Sequence, residues 1–218
     1  MVDKTSEKAI IEIIRHDFPD SCICGEEGGR SGESDIVWHV DPLDGTTNYK
    51  SGFRSFCVSI GIEKQGCFTM GVIYDPVLDL MYEAEDGKGA FLNGKKIAVT
   101  NLPLSESLMV VDSSMRLECA KIRIKSMSLL RPHIRRFRMI GSVALQLTGV
   151  ATGTFAASVC DHFHSWDIAA GCVIVKEAGG EVSDLDGNPP TSKSKVLLVS
   201  NNKENHNKLL KILQEAYS

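Results

Sequence analysis

The stretch Trp38-His39-Val40-Asp41-Pro42-Leu43-Asp44-Gly45-Thr46-Thr47-Asn48 decides how this chain reads. Ile36 to Val40 is mostly apolar and β-branched, as in a buried strand, and Pro42 removes a ladder donor and is expected to end it. Asp41 then stands at the strand's end. Asp44 has the side chain of a helix N-cap or tight turn, while Gly45 lets backbone approach a ligand with no Cβ in the way. The amides of Gly45, Thr46 and Thr47 can point at an anion. Two carboxylates facing one pocket repel each other, so a hard cation with oxygen ligands is the natural third party, and magnesium, commonly shared between carboxylates and phosphate, fits best.

Working outward, Ala9, Ile10, Ile13 and Ile14 recur at helical spacing between Thr5 and Asp17, with Pro19 as the stop. Cys22-Ile23-Cys24 reads as a short strand that delivers Gly25-Glu26-Glu27; its C-x-C pair lacks a second pair and reads as core. Adjacent glutamates are usually solvated, but here their place between two strands lets one face the Asp41 cleft. Phe56, Val58, Ile60 and Ile62 alternate with Cys57, Ser59 and Gly61, and with Phe68 to Tyr74 and Leu80 to Glu83 they predict antiparallel strands. Asn93-Gly94 between two apolar runs is a hairpin signal, because a type I′ turn needs positive φ at both central residues.

The second half changes rhythm. Strands are expected at 108–111, 137–140, 154–159 and 196–199, and helices at 118–130, 142–151, 166–178 and 203–216, the penultimate one closed by Gly179-Gly180. Strands alternating with helices imply an α/β (α+β) fold with layered sheets and helices. No linker divides the chain, so 1–218 reads as one domain, with about 1–110 as a metal-site half and about 111–218 as an α/β half.

Composition narrows the class. With 24 basic and 28 acidic residues the formal charge is -4, which gives no basic footprint for nucleic acid; the cluster from Arg131 to Arg138 reads as solvated surface. The opening residues are polar rather than signal-like, and no apolar run approaches a membrane span, so a cytoplasmic protein is expected. Seven cysteines, an odd number set mostly in apolar segments, suit reduced thiols in a core.

Asp41-Pro42-Leu43-Asp44-Gly45-Thr46-Thr47-Asn48 resembles the first signature of the inositol monophosphatase family of magnesium-dependent sugar phosphatases. Glu26-Glu27 after Gly25 resembles the family's glutamate motif, and Trp166-Asp167-Ile168-Ala169-Ala170-Gly171 through Glu177-Ala178-Gly179-Gly180 resembles its second signature. The resemblance implies the sugar phosphatase fold, an αβαβα sandwich, and hydrolysis of a phosphate monoester of a small polyol or sugar, first of all inositol 1-phosphate. It implies two or three Mg2+ ions on Glu27, Asp41, Asp44, Asp167 and the Leu43 carbonyl. Taken alone, Asp167 at the start of an apolar helix reads equally well as a cap.

By the same resemblance Glu27 and Thr46 orient the attacking water, the amides of Gly45 and Thr46 cradle phosphate, and Gly141-Ser142-Val143 touches the sugar. Where inositol phosphatases carry a sugar-binding glutamate, seven residues before Asp167, this chain has Cys160, with Asp161 beside it as a substitute. Arg138 would add charge; His162 and His164 read as structural. A fructose-1,6-bisphosphatase or nucleotide 3′-phosphatase is the alternative enzyme, and a non-catalytic scaffold subunit is the alternative of another class. The resemblance also carries lithium sensitivity and a homodimer. Relatives usually begin with a further helix and a mobile loop, so the chain reads as starting late, with Asp3 as the remnant of that loop.

Overall fold

The computed structural model describes residues 2–112 and 117–218. The chain opens with α1 (Val2–Asp17), β1 (Cys22–Gly25), β2 (Gly29–Ser31) and β3 (Ile36–Asp44), then α2 (Thr46–Lys50). A meander follows: β4 (Cys57–Lys64), β5 (Cys67–Asp75), β6 (Leu80–Glu85), β7 (Gly89–Leu92) and β8 (Lys95–Ile97). The second half holds β9 (Leu108–Val111), α3 (Leu117–Leu130), β10 (Arg136–Arg138), α4 (Val143–Ala151), β11 (Ala157–Asp161), α5 (Ser165–Glu177), β12 (Glu181–Ser183), β13 (Val196–Ser200) and α6 (Lys203–Tyr217).

Strands β2-β1-β3-β4-β5-β6-β7-β8 make one sheet, and β10-β9-β11-β13-β12 a second. The layers are helix, sheet, helix, sheet, helix, as the resemblance implied. On the outside, α1 lays Ile10 and Ile14 over Ile23 and Val40. Between the sheets, α4 and α5 bury Leu147, Ile168 and Ile174 against Ile73 of the first sheet and Leu197 of the second, so both halves share this core. Beyond the second sheet, α3 and α6 seat Leu130, Leu209 and Leu213 against Met109 and Leu198. The hairpin at Asn93-Gly94 has φ of 47° and 73°, the positive pair its sequence required.

The first sheet turns its small side chains inward. On β4 the alternation buries Cys57, Ser59 and Gly61, and leaves Val58, Ile60 and Ile62 only partly covered on the outer face. α5 uses the room: a Cβ added to Gly61 would lie 2.5 Å from Ala169 Cβ, and one added to Gly71 would lie 2.5 Å from the Ala170 carbonyl oxygen. Close approach without a Cβ therefore sets how deep the helix bearing Asp167 can sit. At the other end of α5, Glu177 accepts hydrogen bonds from the amides of Gly87 and Gly89 at 3.0 and 2.7 Å, bracing the β6–β7 turn.

Three local expectations are corrected. Pro42 does not end the strand; β3 runs on to Asp44 through a register irregularity between Asp41 and Asp44, the kind of place where a sheet tolerates a missing donor. Asp44 does not cap α2, whose N-cap is Gly45 with no side-chain bond. The first sheet is not wholly antiparallel, since β1 pairs parallel with β3. Strands β2 and β12, three residues each, had no sequence signal of their own. The described cysteines are free thiols. Among the described residues no helix is long and apolar enough to cross a membrane.

Gly71→Ala tests the close seat of α5. The added methyl has only backbone to meet, so unfolding stability should fall by about 1–3 kcal/mol in urea melts, the usual cost of overpacking, whereas Gly66→Ala in the open β4–β5 turn meets no neighbour and is strained only by its φ.

Candidate active site

Asp41 is buried at the irregular end of β3, where its Oδ1 accepts the Leu43 amide at 2.9 Å. That short loop carries the backbone past Pro42 and turns the next carboxylate inward. Asp44 meets the start of α4: it accepts from the Ser142 hydroxyl at 2.6 Å, the Ala144 amide at 2.6 Å and the Val143 amide at 3.2 Å. Ser142 is itself the N-cap of α4, accepting from the Leu145 amide at 3.3 Å. Asp167 lies in the first turn of α5 and accepts the His164 amide at 2.6 Å. Two of these acids thus stand at helix N-termini, where the dipole favours negative charge.

The electrostatics are those of acids forced together. The Asp41 carboxyl lies within hydrogen-bonding reach of both Glu26 and Asp167. A bond between two carboxyl groups needs a proton, and burial, then the charges of Asp44, Glu26 and Asp167, push the Asp41 pKa up to about 11. Burial and then Asp44 raise Asp167 to about 7. Burial also raises Asp44, against the pull of its donors on α4. Glu26 is raised by burial and by the neighbouring Glu27, Asp44 and Asp3 carboxylates. Among the described residues no Lys or Arg ion-pairs with Asp41, Asp44 or Asp167. Nor, among those residues, do three His, Cys, Asp or Glu side chains form a ready-made ion cage. The donor set nonetheless fits magnesium: hard oxygens, excess negative charge and, among the described residues, no cationic side chain paired to it.

A model of the inositol monophosphatase family matches residues 1–218. The chain belongs to the inositol monophosphatase family. It is 40% identical over 188 residues to Nus factor SuhB of Xylella fastidiosa, an alignment spanning 85% of this chain and 68% of that one. It is 35% identical over 215 residues to the fructose-1,6-bisphosphatase/inositol-1-monophosphatase of Thermotoga maritima, over 98% of this chain and 81% of that one. The inositol monophosphatase structure from Anabaena superposes with a TM-score of 0.89 at 35% identity, covering 98% of this chain and 86% of its own. The family fold and its phosphoric monoester hydrolase chemistry follow from membership.

Set against the family pattern, the structure brings together Asp41, Asp44, Asp167 and a glutamate, but the glutamate is Glu26. Glu27, expected in the site, sits 3.9 Å from Lys4, and no contact of its carboxylate with Asp41, Asp44 or Asp167 is seen among the described residues. The doublet carried no mark of which member would turn inward; its backbone is held from α1, where Glu7 accepts the amides of Glu27 and Gly28 at 2.7 and 2.8 Å. Thr46 donates its hydroxyl to the Leu43 carbonyl at 3.0 Å, so these two expected site groups do meet. Gly45 has φ of 92°, and a Cβ there would lie 2.8 Å from the Ser55 carbonyl oxygen. Asn48 donates to the carbonyls of Ser55 and Ile140, both at 2.7 Å, and so ties the first signature to the Gly141-Ser142-Val143 segment.

The β11 end is different from what was expected. Cys160 is fully buried, with its thiol against Gln146 and Ser158. Asp161 does not substitute for it; strand alternation sends its carboxylate the other way, to Arg123 and the Tyr217 hydroxyl. Arg138 is exposed, and among the described residues its side chain donates to the carbonyl of Phe137. His164 stacks on Trp166 at 4.5 Å and caps α5, and His162 is exposed at φ 55°, both outside the acid cluster.

A pH dependence follows. Asp41 and Asp167 have folded pKa values raised above 3.8, to about 11 and about 7, so the metal-free fold binds more protons than the unfolded chain and loses stability as pH rises through that window. A divalent ion that replaces those protons should act most strongly at high pH. Thermal melts with and without Mg2+ should show a larger upward shift at pH 8 than at pH 6; an equal shift at both would mean the acids do not hold the ion.

Proposed function

We propose that this protein is a magnesium-dependent phosphomonoesterase acting on a small phosphorylated polyol or sugar, with inositol 1-phosphate as the first candidate. The observation that supports it is the contact of Asp41 with both Glu26 and Asp167 beside Asp44. Glu26, Asp41, Asp44, Asp167 and the Leu43 carbonyl would hold two or three ions, with Glu26 taking the place first given to Glu27. Bound there, magnesium supplies positive charge to the phosphate oxygens, acidity to the attacking water and stabilisation of the leaving alkoxide. Thr46 and Glu26 would orient the water, and the Gly45-Thr46 backbone amides would meet the phosphate oxygens. No nucleophile from the protein is required, so water attacks in line and phosphorus inverts. One domain, a homodimer and sensitivity to lithium belong to the same reading.

Substrate choice rests on a rim with no carboxylate facing inward from Cys160 or Asp161. That departure from the inositol pattern, with a Thermotoga maritima relative named for both activities, keeps fructose 1,6-bisphosphate as the second substrate to test. A non-catalytic role fits less well, because nothing in the acid cluster has been replaced by a neutral residue.

Assay against inositol 1-phosphate, fructose 1,6-bisphosphate and a nucleoside 3′-phosphate with Mg2+ tests the reading. Asp41→Asn and Asp167→Asn should each fall below roughly a tenth of wild-type kcat at saturating Mg2+, since metal activation is worth several kcal/mol. Glu26→Gln should follow them, while Glu27→Gln stays within about threefold of wild type. The reverse ranking of the two glutamates would reassign the site, and turnover indifferent to Asp41→Asn would remove the metal mechanism.

A further inference from the structure

Glu7 is a buried carboxylate on α1 that the reaction does not use directly. Among the described residues it has no Lys or Arg ion pair, and its oxygens go to backbone: Oε2 accepts the Glu27 amide at 2.7 Å and Oε1 the Gly28 amide at 2.8 Å. The loop is built around it. A Cβ added to Gly25 would lie 2.5 Å from Glu7 Oε1, and one added to Gly28 would lie 2.8 Å away, so the carboxylate occupies the space two glycines leave.

The geometry divides three successive amides between two elements. The Glu26 amide donates to the Val40 carbonyl at 3.2 Å, extending β1 along β3, and the next two turn outward to α1. That alternation sends Glu26 to Asp41 and Glu27 to Lys4. Charge-assisted bonds from a carboxylate to backbone amides are among the stronger kind, and losing Glu7 would leave two loop donors unmatched.

We propose that Glu7 is a positioning residue: by holding the Glu27 and Gly28 amides it fixes the backbone from which Glu26 reaches the metal site. α1 is then part of the metal site's outer support, though none of its bonds is to the ion. This rests on the metal reading given above.

The test measures Mn2+ binding by calorimetry and thermal stability together, on the full chain. Three variants are compared with wild type: Glu7→Gln, Glu26→Gln, and Ile14→Ala, which removes a buried α1 side chain without touching the loop. Glu7→Gln should weaken Mn2+ binding by about tenfold or more, the usual range for a residue that orients a ligand, and Ile14→Ala should lower Tm with Kd within about twofold of wild type. Glu7→Gln within twofold of wild type, while Glu26→Gln loses binding, overturns the role of Glu7 and leaves the metal reading standing. An Ile14→Ala effect on Kd as large as that of Glu7→Gln also overturns it, since any loosening of α1 would then suffice. Wild type that fails to bind Mn2+ at millimolar concentration overturns both. Should Glu7→Gln not fold, Gly28→Ala, which drives a methyl against Glu7 Oε1, takes its place with the same readings expected.

Discussion

Mutual repulsion between carboxylates at the end of β3 is the constraint that the rest of the molecule accommodates. Two unit charges about 4 Å apart interact by roughly 4 kcal/mol at the effective dielectric of a protein site, and Asp41 has two acidic partners in hydrogen-bond contact with Asp44 close by. A cluster of this kind opposes folding unless something holds its members in place. Three different layers do so: α1 through Glu7, the first sheet through β3, and the central helices through their N-termini.

Those N-termini divide the work. α4 holds Asp44 with a hydroxyl and two amides, which fixes both its oxygens. α5 holds Asp167 with one amide, leaving the rest of that carboxylate free toward Asp41. The depth of α5 is in turn set by Gly61 and Gly71, so a requirement for small side chains deep in the sheet becomes a requirement on where a carboxylate stands. Asn48 links the β3 loop to the start of α4 and keeps the first signature and the sugar-side segment in one frame.

Much of this was legible in the sequence, and the failures have physical causes. Periodicity located α1, α3, α4, α5 and α6 and most strands, but not the five-residue α2, and the type I′ turn was fixed by Asn93-Gly94 because few residues accept its φ values. Asp41, Asp44 and Asp167, which the fold gathers at one place, stood out in the sequence because each follows a recognisable break from apolar strand or precedes an apolar helix. Between Glu26 and Glu27 nothing in the sequence marked which would lie beside Asp41, because side-chain direction in a three-residue turn depends on contacts such as that of Glu7, twenty residues upstream of Glu27. Asp44 looked like a local cap, and it does serve a helix N-terminus, but that of α4, about a hundred residues later. Asp161 read as a stand-in for Cys160 by adjacency, whereas a strand places neighbours on opposite faces.

The central claim is that the acids crowded around Asp41 hold protons until divalent cations take their place. Calorimetric titration with Mg2+ at pH 7, repeated in buffers of different ionisation enthalpy, counts the protons released on binding. With the Asp41 pKa pushed up to about 11, the account predicts release of about one proton or more per protein as the ions bind. Binding of Mg2+ with no proton released would contradict it, because the ion would then have found carboxylates that were already charged, or a site elsewhere.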